Sequence, residues 1–216
     1  MPKRPGDGAV TAGTATVGRL VLRTFLWLPL CFAGWYFAAP VLGRFVGDVA
    51  AMLVDLIRSN LVSAIEWQDL HLEFVTNLRV HPEPDRVGVL VVEVNPLLYT
   101  YGLPLFVALM LAARAKAWMI LAGAALLLPF QAWGVAFDLL VQLGVRSGAA
   151  VSAQAGLAGW RSELIGLGYQ LGSLVFPALI PVALWVAFNR AGAAFHAPWP
   201  AHKSGLSGVV RRGEAR

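Results

Sequence analysis

The chain has 216 residues, 58% of them hydrophobic and only 13% charged, with a formal net charge of +5. Soluble domains carry about 25% charged residues, so ionisable groups here cannot cover a water-exposed surface, and a water-soluble globule is excluded. In such a chain positive charge sets topology rather than marking nucleic acid, so its position matters more than its sum.

Residues 1–18 are rich in Gly, Ala, Thr and Pro, with Lys3 and Arg4. They read as a disordered basic tail on the cytoplasmic side. The first apolar run, 20–42, is long enough to span about 30 Å of hydrocarbon. Arg19 and Arg23 at its start can snorkel to headgroups, and Pro29 and Pro40 are expected to bend it and end it. The run is long and bulky and no small-x-small cleavage site follows it, so a removable signal peptide is not expected. The single cysteine, Cys31, lies inside this run. It permits no intramolecular disulfide and reads as a small buried apolar side chain, with a catalytic thiol or a lipidation site as the alternatives.

Residues 44–65 place Phe45, Val49, Leu53, Leu56 and Leu61 near helical spacing, with Asp48, Asp55, Arg58 and Ser59 on the other side. This predicts a separate amphipathic helix at the membrane surface. Asp48 and Asp55 share one helix face, where Arg44 and Arg58 are the expected partners of a solvated pair; an acid/base dyad is the sharper alternative. From Asp69 to Val80 the period changes to two, with apolar residues at the even positions. His81 to Arg86 supplies turn chemistry and Val87 to Val94 is β-branched. A β-hairpin is therefore expected over 66–95, with a loop of about six residues. His71 beside Asp69 and Glu73 could bind metal through alternate side chains, but an exposed strand face is the preferred reading.

A second span is predicted at 96–113. It begins without a linker at Asn95-Pro96, where Asn95 can cap the helix and Pro96 holds the preceding residue extended. Tyr99 and Tyr101 mark its interface, and Gly102 and Pro104 permit a kink and close helix approach. Asn95, Pro96, Tyr99, Tyr101, Gly102 and Pro104 form the most distinctive string in the chain, read either as a structural joint or as a partner-contacting elbow. A third span is predicted at 117–138 and a fourth at 169–188. Between them, 139–168 is an extracytoplasmic loop with a possible helix, and 189–216 is a second disordered basic tail. Gln131, Asp138 and Gln142 fall on one stripe of the third span at spacings of seven and four. Asp138 falls about 20 residues into the span, at its outer interface, where packing or solvation is the expected reading; an intramembrane acid serving a pore, a relay or a partner contact is the alternative.

If the segments alternate across the membrane, one side collects eleven Lys and Arg against Asp7 and Glu214. The other collects six Arg against ten acids. The positive-inside rule then predicts both termini in the cytoplasm and the strands outside it. High Ala, Leu, Val and Arg with little Lys suggests a bacterial chain, and hence its inner membrane. The fold class expected is an α-helical integral membrane protein, with about four transmembrane helices, a small amphipathic helix and a β-hairpin. No P-loop, GxGxxG, HExxH or paired-cysteine motif is present, so neither cofactor nor metal is expected.

Trp27–Pro40 (WLPLCFAGWYFAAP), the strands after an amphipathic helix, and Asn95–Leu105 (NPLLYTYGLPL) together resemble the exosortase H-associated membrane proteins over residues 20–140. That resemblance implies an accessory role beside an exosortase, a membrane enzyme that processes C-terminal sorting signals by cysteine chemistry supported by Arg and His. The chain does not resemble the enzyme itself. Its one cysteine lies in the first span and no histidine falls within a span, so no catalytic residue carries over. The expected partners are the bilayer and an exosortase-like membrane protein. A small transporter or channel component lined by Gln131 and Asp138, or an intramembrane enzyme using Asp138 or Cys31, are the rival readings.

Overall fold

The computed structural model describes residues 7–83 and 86–196. Helix α1, Asp7–Ile57, is continuous over 51 residues, which at about 1.5 Å per residue is roughly 76 Å, more than twice the hydrocarbon thickness. It absorbs the expected first span and the expected amphipathic helix into one rod. Residues 7–18, expected as tail, are helical too, whereas residues 1–6 lie outside the described residues. Pro29 and Pro40 both sit inside the helix without ending it. Prolines are tolerated in membrane helices when neighbouring helices re-satisfy the freed backbone, and α1 packs on its neighbours past Pro40. Thr24, Ala39, Val46, Ala50 and Val54 are buried at helical spacing, while Phe25, Leu30, Phe37 and Val41 face outward. α1 closes at Asn60, whose φ of 59° is the left-handed form that asparagine tolerates. The Asp55 carboxylate accepts the Asn60 N–H at 2.8 Å.

Three antiparallel strands follow in the order β1-β2-β3: Val62–Gln68, His71–Glu83 and Arg86–Val94. The expected hairpin is thus a three-stranded meander. β1 was hidden in the segment read as the end of a helix. Asp69 and Leu70 both have positive φ, the geometry of a two-residue turn matched to strand twist. At the second turn Glu83 pairs with Arg86, shorter than the six residues expected; residues 84–85 lie outside the described residues. The period of two is borne out, because Leu72, Phe74, Thr76 and Leu78 are all buried. This face packs on the last turns of α1. There Gly47 leaves room for Leu72, and Gly43 leaves room for the Trp67 ring. A lone sheet of this size is marginal, and the helix beneath it supplies the missing apolar layer.

Helices α2 (Leu97–Thr100) and α3 (Gly102–Ala112) form one short apolar segment. At 16 residues it is about 24 Å long, less than a full crossing of about 30 Å. α4, Ala117–Val141, returns to the sheet and passes into a π-helical turn, Gln142–Arg146. The stretch expected as an extracytoplasmic loop is folded. α5 (Ala149–Ala155) and α6 (Trp160–Gln170) bring Ala155, Leu157 and Ile165 into the same core as Phe74 and Leu139. Gln154, with its amide oriented to suit both, bonds the N–H and the carbonyl of Arg79 at 3.1 Å each. A second π-turn, Leu171–Val175, leads into α7, Phe176–His196. Pro177 explains it: proline cannot donate to the carbonyl four residues back, and the ladder widens to relieve the clash. Phe176 N–H instead reaches Leu171 O.

Among the described residues, three helices are long and apolar enough to cross a membrane: Gly18–Ile57, Ala117–Arg146 and Trp160–Arg190. A second core, Phe106, Met110 and Leu127 with Ala115, Met119, Trp185 and Phe188, lies at the end away from the sheet. This places Arg114, Lys116 and Arg190 at that end. Gly43 lies against Pro96, and the Trp35 indole donates to Thr100 at 3.3 Å, so α1 runs antiparallel to α3 and carries Arg19 and Arg23 to the same end.

Candidate functional site

The sheet and the bundle meet at Asn95-Pro96. The Asn95 carboxamide accepts the Leu97 N–H at 3.0 Å, and the Asn95 carbonyl accepts from Leu98 at 3.3 Å. The Thr100 hydroxyl bonds back to Pro96 O at 3.0 Å. Strand thus becomes helix within two residues, because side chains replace the missing backbone partners of the first turn. Pro96, Tyr99, Gly102 and Pro104 are buried, and Asn95 and Tyr101 half-buried. The buried four face the interior of this fold. They fix the angle between sheet and bundle.

That joint positions a polar cluster. The Tyr99 side chain, 2% exposed, places its hydroxyl beside the Asp138 carboxylate and the Tyr169 hydroxyl. Asp138 is 7% exposed. The Gln142 amide donates to Asp138 at 3.4 Å and to Glu93 O at 2.9 Å. Arg146 stands 4.0 Å from the same carboxylate and lies over the Tyr169 ring, 5.4 Å from its centroid. The π-turn contributes here. Its wider pitch keeps Arg146 nearer the face of Asp138 and Gln142 than a continued α-helix would. One carboxylate therefore ties together α2, α4, α6 and, through Gln142, β3. Such a site can hold a charge in place and lock the sheet to the bundle.

The sequence stripe Gln131–Asp138–Gln142 is only partly united. Gln142 joins Asp138, but Gln131 lies two turns deeper, about 10 Å along the helix. Gln131 is buried and its Nε2 has no hydrogen-bond partner among the described residues. Cys31 is half-buried on α1 with a free thiol. His71 Nδ1 lies 3.1 Å from Asp69 O, and no group of three His, Cys, Asp or Glu placed to hold a metal occurs among the described residues. Arg58 does not pair with Asp55 as expected; its Nε donates to Ala155 O at 3.2 Å. Sequence reasoning missed Tyr99 as the neighbour of Asp138 and Tyr169 as the neighbour of Tyr99. The available signal was a tyrosine in an apolar helix, which needs a partner for its hydroxyl.

The family described as exosortase H-associated membrane protein matches residues 14–192. The match covers most of the chain, and the chain belongs to that family. No curated protein and no solved structure matches it.

Proposed function

We propose that this exosortase H-associated membrane protein is a non-enzymatic accessory of a protein-sorting system, acting by contact with an exosortase-like membrane protein. The family match carries the reading. The fold supports it, because the Tyr99–Asp138 cluster is spent on joining sheet to bundle. The surface available for contact lies on the outer side of β3, where Val89 and Val91 are 56% and 46% exposed, and on the outward face of α1. Exposed β-branched pairs on an edge strand invite a partner. Val89→Asp combined with Val91→Asp is expected to lower co-purification of an exosortase-like partner at least tenfold while the chain stays folded. A stoichiometric partner retained by that variant argues against this surface, and a solitary wild-type monomer against the whole reading.

The short segment Leu97–Ala112 is taken as a fourth crossing of a bacterial inner membrane, with both termini in the cytoplasm. Arg19, Arg23, Arg114, Lys116 and Arg190 gathered at one end support this. A phosphatase fused at Pro84 should be active and a fluorescent protein fused after Arg216 should glow. A cytoplasmic signal from Pro84 reverses the orientation. The unpaired Gln131 amide favours a second reading, a small permeation element, which ends if proteoliposomes show no flux.

A further inference from the structure

Beside the joint, on the lateral surface of the bundle, lies an apolar groove of about 490 Å³ between α4, α6 and the end of α1. Ile57, Trp133, Phe137, Leu164, Leu167 and Leu171 line it. The Trp133 ring stacks on Phe137 at 4.4 Å and its indole N–H donates to Gly168 O at 3.0 Å, so the aromatic wall is fixed. Gly168 is required there: a Cβ would stand 2.1 Å from the Phe137 ring.

The groove is polar only at one end. Arg161 lines it, and its Nη1 donates to Gly156 O at 3.0 Å. Arg58 reaches the same turn from α1, its Nε on Ala155 O at 3.2 Å. Two guanidinium groups thus converge on adjacent carbonyls. No ion pair joins either to a carboxylate among the described residues. Each arginine has five donors, and among the described residues each makes one hydrogen bond, to Ala155 O and Gly156 O. Trp160, 67% exposed, lies under Arg161 with the guanidinium 5.8 Å from its ring. Trp and Arg side by side mark a headgroup boundary. From Arg161 to Leu171 the helix advances ten residues, about 15 Å, which is half of a hydrocarbon core of about 30 Å.

We propose that this groove is a binding site for one anionic phospholipid of the leaflet at the sheet end. An acyl chain lies along Phe137, Leu167 and Leu171, and the phosphate sits on Arg58 and Arg161. The cations, the interfacial tryptophan and a one-leaflet length select a lipid over a partner helix, which would extend past the groove at both ends. The proposal does not depend on the partner reading above.

The test is native mass spectrometry of the full chain, purified with phosphatidylglycerol and then washed with detergent. The wild type is expected to retain one lipid per chain. Arg58→Gln with Arg161→Gln should retain at least tenfold less. Leu167→Trp keeps both arginines but fills the groove, and should lose the lipid equally. Leu121→Trp, on an outward face of α4, should retain it. Arg161→Gln alone replaces the double variant if the latter fails to fold, since Arg161 is exposed. Wild-type retention by either the arginine variant or Leu167→Trp overturns the site, as does a protein segment cross-linked into the groove in place of lipid.

Discussion

Gly102→Leu is expected to destabilise the bundle by about 3 kcal/mol or more, the scale of severe overpacking, read as a fall in thermal midpoint in detergent and in membrane yield. The reason lies in the opposing helix. A Cβ on Gly102 would stand 2.6 Å from the Pro177 carbonyl oxygen and 2.8 Å from the Pro181 ring. The first contact is backbone, so it cannot swing aside as a side-chain tip can. The carbonyl is also exceptional. Its helical partner would be the N–H of residue 181, and residue 181 is proline, which has none. Leaving a carbonyl unpaired inside a bilayer is costly, and the bare Gly102 backbone gives it a close neighbour instead. Weak Cα–H contacts of this kind recur at helix interfaces. The control is Gly166→Ala on α6, where nothing lies within 4 Å of the added Cβ. That change should be neutral or stabilise by up to about 1 kcal/mol, because Gly is a poor helix former. Equal behaviour of the two variants would remove the crossing as the explanation.

What was legible in the sequence followed from local period and composition. The membrane class rested on the charge deficit. The alternation at Leu72, Phe74 and Leu78 marked a strand correctly because one face is buried and the other is not. Asn95-Pro96 read as an abrupt strand-to-helix joint because capping is a nearest-neighbour property. Three things were not legible, each for a physical reason. Pro40 looked like a stop, yet α1 continues because the sheet packs on its far end through Gly43 and Val46, and that tertiary burial outweighs the local cost of proline. β1 was missed because Val62 to Gln68 directly continues a helical pattern and its strand partners lie downstream. The contact between Tyr99 and Asp138 spans 39 positions, and neither residue carries a local signal for the other. The sequence also did not show that Pro96, Tyr99, Gly102 and Pro104 of the Asn95–Leu105 string turn inward. Gly102 and Pro104 were read as permitting a kink and close helix approach, and Gly102 does lie against Pro177 and Pro181 of α7.

Tyr99→Phe is expected to cost about 1–2 kcal/mol, and the loss should depend on Asp138. The Tyr99 phenol lies beside the carboxylate of Asp138, a residue only 7% exposed. Hydrogen bonds to charged groups contribute about 1.5–3 kcal/mol in proteins, whereas those between membrane helices average about 0.6 kcal/mol, because the unfolded chain in the membrane also finds partners. The site lies between these limits. It is at the sheet end of the bundle, and Arg146, more than half exposed, is too solvated to replace the lost donor fully. Asp138→Asn keeps the shape but weakens the acceptor, so Tyr99→Phe placed on Asp138→Asn should cost less than on the wild type. A double-mutant cycle with a coupling of about 1 kcal/mol would support the clamp. The second readout separates clamp from simple packing. Gln142 links Asp138 to Glu93 O, so loosening the acid should raise amide exchange in β3 before it raises exchange at Phe106 or Met110, which belong to the distal core. Uniform loosening of both cores would mean that Tyr99 merely fills space, and the carboxylate would then lose its place as the fastener between sheet and bundle.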